Sequence, residues 1–244
     1  MKKVTKLYDN CWNRMNKEQI DEAVELLKIR FERNGIPLSM IKNKVILDDG
    51  CGSARYSVAL MKLGAKKVYA LDKGVGNKFK AKGIKYINGD VLNLPFKNNM
   101  FDFVFCNGVL HHTKNTYKGL KEIFRVLKKG GAVWLYLCGK SRFYKLLDTL
   151  RLKHNLKDAK TFAKLLEIYQ FPPNKIFLLT DMFFTQHREY FTSKQLTNYF
   201  TEIGFNYKRL IRDCDWGFNE RILNGDINSD IIKDADLRYL LLRK

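Results

Sequence analysis

The stretch Val45-Ile46-Leu47-Asp48-Asp49-Gly50-Cys51-Gly52-Ser53-Ala54-Arg55 decides the fold. An aliphatic, β-branched run ends in two acids, turns through two glycines and continues into Tyr56, Ala59 and Leu60. The pattern predicts a buried strand, a tight turn and a helix start. Glycines there let bare backbone approach a ligand, and the helix N-terminus offers unpaired N–H groups to a negative one. The dinucleotide fingerprint G-x-G-x-x-G is not met, because Gly50-Cys51-Gly52 continues as Ser53-Ala54-Arg55. A βα turn that uses glycine only for chain reversal is the plainer alternative.

Outward from this unit, Lys67–Asp72 reads as a second buried strand ending in an acid, and Ile84–Asn88 as a third, leading into Gly89-Asp90-Val91. Phe101–Cys106 is a fourth strand. Leu120, Ile123, Phe124 and Leu127 mark a helix from about 116 to 128, which Gly130-Gly131 is expected to stop before a fifth strand at Ala132–Leu137. Strands and helices alternating at these intervals predict a parallel, doubly wound α/β sheet. Residues 193–203 read as a helix capped by Thr192 or Ser193 and ended by Gly204, with final strands at 205–212 and 237–242.

These segments together resemble class I S-adenosylmethionine-dependent methyltransferases, whose loop pattern is close to D-x-G-C-G-x-G. Asp48, Gly50 and Gly52 fall on its acid and first two glycines. Two positions depart: Ala54 replaces the third glycine, a change tolerated where the backbone keeps φ negative, and Asp49 stands where the family is apolar. The runs 89–96, 101–104, 109–112 and 125–131 are similar to the subgroup that includes ubiquinone- and menaquinone-biosynthesis C-methyltransferases, with Lys129 in place of a proline. The resemblance implies a Rossmann-like sheet of seven strands in the order 3-2-1-4-5-7-6, the last antiparallel. It also implies S-adenosylmethionine as cofactor.

For cofactor binding the resemblance implies Asp48, Gly50, Cys51 and Gly52 at the methionine portion, Asp72 at the ribose diol and Lys73 with Leu71 beside the adenine. Asp90 and Val91 would meet the adenine edge, and Asn107 with Gly108 the passage from donor to acceptor. A carboxylate suits a diol because it accepts two hydrogen bonds at once, although NAD sites use the same device. His112 and His187 are the candidate proton-transfer groups; the alternative is a structural role for His112, more so for His111, and a plain surface residue for His187. Tyr8 and Trp12, spaced i, i+4, are candidates to close over the donor or to pack a helix. Methyl transfer attacks an already activated carbon in line, so alignment and water exclusion suffice without a catalytic dyad.

At 244 residues and 45% hydrophobic content, the chain suits one domain, with an N-terminal helical segment over 1–42 and a helical cap inserted over 138–190. The cap's Phe143–Leu150 and Phe162–Tyr169 read as amphipathic helices, with Phe171-Pro172-Pro173 setting them off from the next segment. Residues 140–175 hold nine Lys/Arg against three Asp/Glu. Five cysteines without C-x-x-C spacing argue against a disulfide framework or a metal site, and no secretory signal or spanning segment is seen, so a cytoplasmic location is expected. The net charge of +20 favours anionic partners, while Lys over Arg at 32 to 13 also fits the compositional bias of an A/T-rich genome. The expected activity is methyl transfer to a small or medium-sized acceptor, anionic ones included. A tRNA or rRNA methyltransferase and a noncatalytic partner subunit of the same fold are the alternatives, and an NAD-dependent enzyme comes last.

Overall fold

The computed structural model describes residues 16–74, 79–154, 158–185, 187–213, 223–225 and 234–244; Tyr8 and Trp12 lie outside them. Strands β1 (Val45–Asp49), β2 (Lys67–Asp72), β3 (Ile84–Asn88), β4 (Phe101–Asn107), β5 (Leu127–Cys138), β6 (Phe205–Leu210) and β7 (Asp236–Arg243) form one sheet. Its order is β3-β2-β1-β4-β5-β7-β6. The first five strands are mutually parallel and β7 runs antiparallel to β5 and β6, as the resemblance implies.

Alternation along each strand sends side chains to two cores. Ile46, Val68, Phe103, Phe105 and Trp134 pack with Ala23, Leu27 and Phe31 of α1 (Lys17–Arg33) and with Ala59 and Leu60 of α2 (Arg55–Lys62). Phe31 stacks on Trp134 with ring centroids 5.5 Å apart. On the other face Leu47, Leu71, Val104 and Leu135 meet Leu120, Ile123 and Val126 of α3 (Thr116–Val126), and Leu196 and Phe200 of α7 (Ser193–Ile203). Covering both faces is what a parallel sheet requires, and it leaves the carboxyl ends of the strands as the open rim. The cap contributes α4 (Arg142–His154), α5 (Ala159–Ile168) and α6 (Pro173–Phe184).

Local chemistry explains most boundaries. Thr192 caps α7 in a capping box with Gln195, and Gly204 ends it at φ 101°. Two expectations are corrected. The glycine pair at 130–131 does not stop a helix at 128: α3 ends at Val126, and the glycines lie inside β5. The register there passes from Phe101↔Leu127 to Phe103↔Ala132, so the extra residues form an irregularity in the ladder. Pro172-Pro173 also does more than separate segments, because Pro173 opens α6, where the missing N–H is one the helix leaves unpaired anyway.

Candidate active site

The glycine turn is tied to its neighbours by backbone hydrogen bonds. The N–H groups of Gly50 and Cys51 both donate to the Leu71 carbonyl at 2.9 Å. Gly50 has φ 88°, and a Cβ there would sit 2.4 Å from Val109 Cγ2, so both conformation and space demand glycine. Ala54 adopts φ 63°, so the condition under which alanine is readily tolerated at this position is not met. It therefore occupies the left-handed region that costs a non-glycine residue about 1–2 kcal/mol.

Three acids project from successive strand ends around this turn. Asp48 is buried, and its Oδ2 accepts the Ser57 hydroxyl at 2.5 Å. Asp72, half-buried at the end of β2, accepts the Gly52 N–H on Oδ2 at 2.9 Å and the Gly74 N–H on Oδ1 at 2.6 Å. Asp90, beyond β3, pairs with the Lys73 ammonium at 2.6 Å and accepts the Leu92 N–H at 2.9 Å. Partial burial opposes the charge on Asp90, but Lys73 and the Leu92 amide outweigh it and hold the carboxyl below its usual range. Asp72 thus stitches the loop after β1 to the loop after β2, while Lys73 and Asp90 bridge the ends of β2 and β3.

A fourth acid lies beneath. Asp49 is fully buried, and neither carboxyl oxygen has a hydrogen-bond partner of ordinary geometry among the described residues. Burial, then the neighbouring Asp48, push its pKa well above the carboxylate range, against a weak pull from the Cys106 thiol. The Ser53 hydroxyl, within the turn itself, is likewise buried and unpartnered.

Past β4, the Asn107 side chain turns to Trp134, accepting its indole N–H at 3.1 Å. Leu110–His112 form one turn of 3₁₀ helix. His111 is buried against Cys138, whose N–H donates to Nδ1 at 3.3 Å, and burial lowers its pKa well below the usual value. His112 Nδ1 lies 3.1 Å from the His187 carbonyl and Nε2 lies 3.7 Å from Asp181 Oδ1. Burial lowers its pKa, partly offset by Asp181. The His187 ring is exposed, with Nε2 2.8 Å from the Thr113 carbonyl. The structure therefore brings His111 and His112 to the rim and leaves the His187 ring on its outer edge.

Sequence reasoning missed a cluster of charged and aromatic side chains near the 3₁₀ turn. Arg188 holds Asp181 through Nη2 at 2.5 Å and lies over the Tyr144 ring, which stacks on Tyr190 at 5.2 Å. Beside it the Tyr136 hydroxyl donates to Asp236 at 2.9 Å, and Arg238 lies over the Tyr136 ring. These residues come from α4, α6, the stretch between α6 and α7, β5 and β7, and no local motif joins them all. The only legible signal is an aromatic and basic bias in the cap.

The family model for a methyltransferase domain matches residues 47–135, from β1 through most of β5. A tRNA U34 carboxymethyltransferase of Campylobacter fetus subsp. fetus is 30% identical over 155 residues, covering 58% of this chain and 51% of that protein. The chain spans about half the length of such relatives. An uncharacterized protein of Methanocaldococcus jannaschii is 33% identical over 181 residues, 70% of this chain and 73% of its own length. A solved S-adenosylmethionine dependent methyltransferase from Mesorhizobium loti shares the fold, with TM-score 0.58 over 92% of this chain and 100% of that one at 15% identity. Residues 47–135 are thus a methyltransferase domain, and the strand order is that of the class I S-adenosylmethionine-dependent methyltransferase fold.

Proposed function

We propose that this chain transfers a methyl group from S-adenosylmethionine to a small or medium-sized acceptor held between the strand ends and the cap. The observation that carries the reading is the Asp72 carboxylate, pinned by the N–H groups of Gly52 and Gly74 beside the Asp90–Lys73 pair. Each pinned oxygen keeps lone-pair capacity, so the carboxylate can accept both hydroxyls of a ribose diol. The unpartnered Ser53 hydroxyl and the Cβ-excluding approach at Gly50 also fit a polar ligand lying on the turn.

In this reading Gly50, Cys51 and Gly52 present backbone to the methionine portion, with Asp48 holding the first turn of α2 through Ser57. Asp90 and Val91 face the adenine edge, and the Lys73 stem covers the ring. Gly108 and the 3₁₀ turn line the passage to the acceptor; Asn107 borders it while holding Trp134. S-adenosylmethionine supplies a carbon already activated by its sulfonium, so the protein's work is alignment and exclusion of water.

His112 takes the acceptor's proton where one must leave. A carbonyl only accepts, so the contact with the His187 carbonyl places the His112 proton on Nδ1. Nε2 is then the basic nitrogen, and Asp181 stabilises the imidazolium that forms. His187 acts through its backbone, as a positioning residue. Calorimetric titration with S-adenosylmethionine, S-adenosylhomocysteine and NAD tests the site: the two methyl-cycle compounds should bind and Asp72→Ala should abolish it. Binding of NAD alone, or binding indifferent to Asp72, refutes the assignment.

A second reading, transfer to tRNA, is favoured by the +20 charge and by the names of the curated relatives, which differ from those of the quinone-biosynthesis subgroup. Labelled donor incubated with bulk tRNA and, separately, with small-molecule cell extract decides between them. Label in tRNA establishes the second reading; label in neither, despite donor binding, makes the chain a noncatalytic partner.

A further inference from the structure

The cap exposes a concentration of apolar surface that the methyl-transfer site does not use. Of eleven large hydrophobic side chains exposed among the described residues, seven lie between 142 and 184. The densest group is at the C-terminal end of α5 and the turn beyond it: Leu165, Ile168, Tyr169 and Phe171, with Ile168 68% and Tyr169 71% exposed. Leu165, Ile168 and Tyr169 are spaced i, i+3, i+4, so they share one helix face. The inward face of α5 is separately satisfied, because Ala163 and Leu166 are buried against Ile176 of α6. The outward stripe is therefore surplus to the cap's own core. Lys160 and Lys164, also exposed, stand about two turns and one turn before Ile168.

We infer that this tip of the cap docks on an anionic lipid bilayer, with Leu165, Ile168, Tyr169 and Phe171 entering the headgroup–acyl boundary and Lys160 and Lys164 facing the lipid phosphates. Charge complementarity selects this occupant. A second copy of the chain would bring a segment with nine basic and three acidic residues against the same segment. A nucleic acid supplies negative charge but no layer to receive Leu165 and Ile168, which have no ring to stack on bases. An anionic bilayer supplies both an apolar layer and negative charge at the depth where tyrosine, phenylalanine and lysine settle. The contact is peripheral, since no helix among the described residues is long and apolar enough to cross a membrane.

Flotation of the full chain with phosphatidylcholine vesicles, with and without about a third phosphatidylglycerol, tests this. The expected result is flotation with the anionic vesicles only. Ile168→Glu/Tyr169→Glu should cut the bound fraction by about tenfold or more. Lys160→Glu/Lys164→Glu should do the same, since each lysine near such a surface is worth roughly fivefold. All four positions are exposed, and unchanged melting temperatures verify that the variants fold. No flotation, equal flotation on neutral vesicles, or loss with the lysine pair but not the apolar pair each overturn the inference. So does a tip that instead mediates self-association or tRNA binding, read as a concentration-dependent mass or a gel shift that Ile168→Glu/Tyr169→Glu abolishes while vesicles go unbound.

Discussion

Replacing Asp49 by valine should stabilise the protein, and by more as pH rises. The carboxyl is fully enclosed and only the Cys106 thiol, a poor donor, reaches it, and a buried polar group without a partner of ordinary geometry costs about 1–3 kcal/mol. That cost applies even to the neutral acid. The pH dependence adds to it. Burial and Asp48 raise the folded-state pKa well above the usual 3.8, so above about pH 4 the unfolded chain releases a proton that the folded chain must keep. Stability then falls as pH rises towards the folded pKa, by about 1.4 kcal/mol per unit for this single group. Valine removes both costs and is β-branched, which suits the end of β1. The variant's advantage is thus expected to be about 1–3 kcal/mol near pH 4 and to widen above it. A gain of that size raises Tm by roughly 2–12 °C in a chain of this length. Urea unfolding of both proteins at pH 4.5, 6 and 7.5 is the assay. A destabilised variant, or an advantage constant with pH, would show that Asp49 is paired and ionised and that the buried-acid account is wrong. If valine stabilises but S-adenosylhomocysteine no longer binds, the acid is kept for the ligand at the expense of the fold.

Three further outcomes concern the site. Asp72→Asn should weaken S-adenosylhomocysteine binding by about 10- to 100-fold, the worth of a hydrogen bond to a charged group, as read by calorimetry; a change within twofold places the ribose elsewhere. Ala54→Gly should leave stability within about 1 kcal/mol: relief of the left-handed angle is worth about 1–2 kcal/mol. Against it stand about 0.4–1 kcal/mol of unfolded-state entropy and about 0.8 kcal/mol for one buried methyl. A gain above about 2 kcal/mol in urea unfolding would mean a more strained turn. His112→Gln should lower kcat by about 10²- to 10⁴-fold without changing donor affinity, and remove the acid limb of the kcat profile below the usual histidine pKa of about 6.5; an unchanged profile leaves His112 with a purely structural role.

The scaffold was legible because its signals are local. The aliphatic run before Asp48, the acids closing 67–72 and 84–90, and the Thr192–Gly204 helix with both caps each need only a few neighbouring residues to read. The β5 start was misread because Gly130-Gly131 satisfies a helix-stop rule and a ladder irregularity equally well, and only the pairing with Phe101 and Phe103 decides between them. The Ala54 angle was not legible because alanine prefers negative φ on its own, and the closure of the turn, with the Ala54 N–H on the Cys51 carbonyl, overrides that preference. The cluster that joins the cap to β5 and β7 was not legible for a different reason. Asp181 and Arg188, Tyr144 and Tyr190, and Tyr136 and Asp236 meet only through tertiary packing, across separations of up to 100 residues, and their residue types recur all over a basic, aromatic chain.

Charge distribution ties the site to its chemistry. The chain carries a net +20, yet Asp48, Asp49, Asp72 and Asp90 gather at one end of the sheet, and the other three all act to raise the Asp49 pKa. Such a cluster is costly to the fold, because like charges repel and two of the four are buried. A donor that brings a sulfonium and an ammonium offsets that repulsion, and the methyl-depleted product, which has lost the sulfonium charge, offsets less of it. In the proposed site these acids favour the charged reactant over its neutral-sulfur product, within a surface whose opposite sign suits anionic partners. The negative rim and the positive exterior act on two different partners, so the basic composition does not argue against a cationic cofactor. What each sign selects is set by depth: Asp48 lies where water is excluded and charge interactions are strong, Asp72 and Asp90 partly so, and the cap lysines where salt screens them.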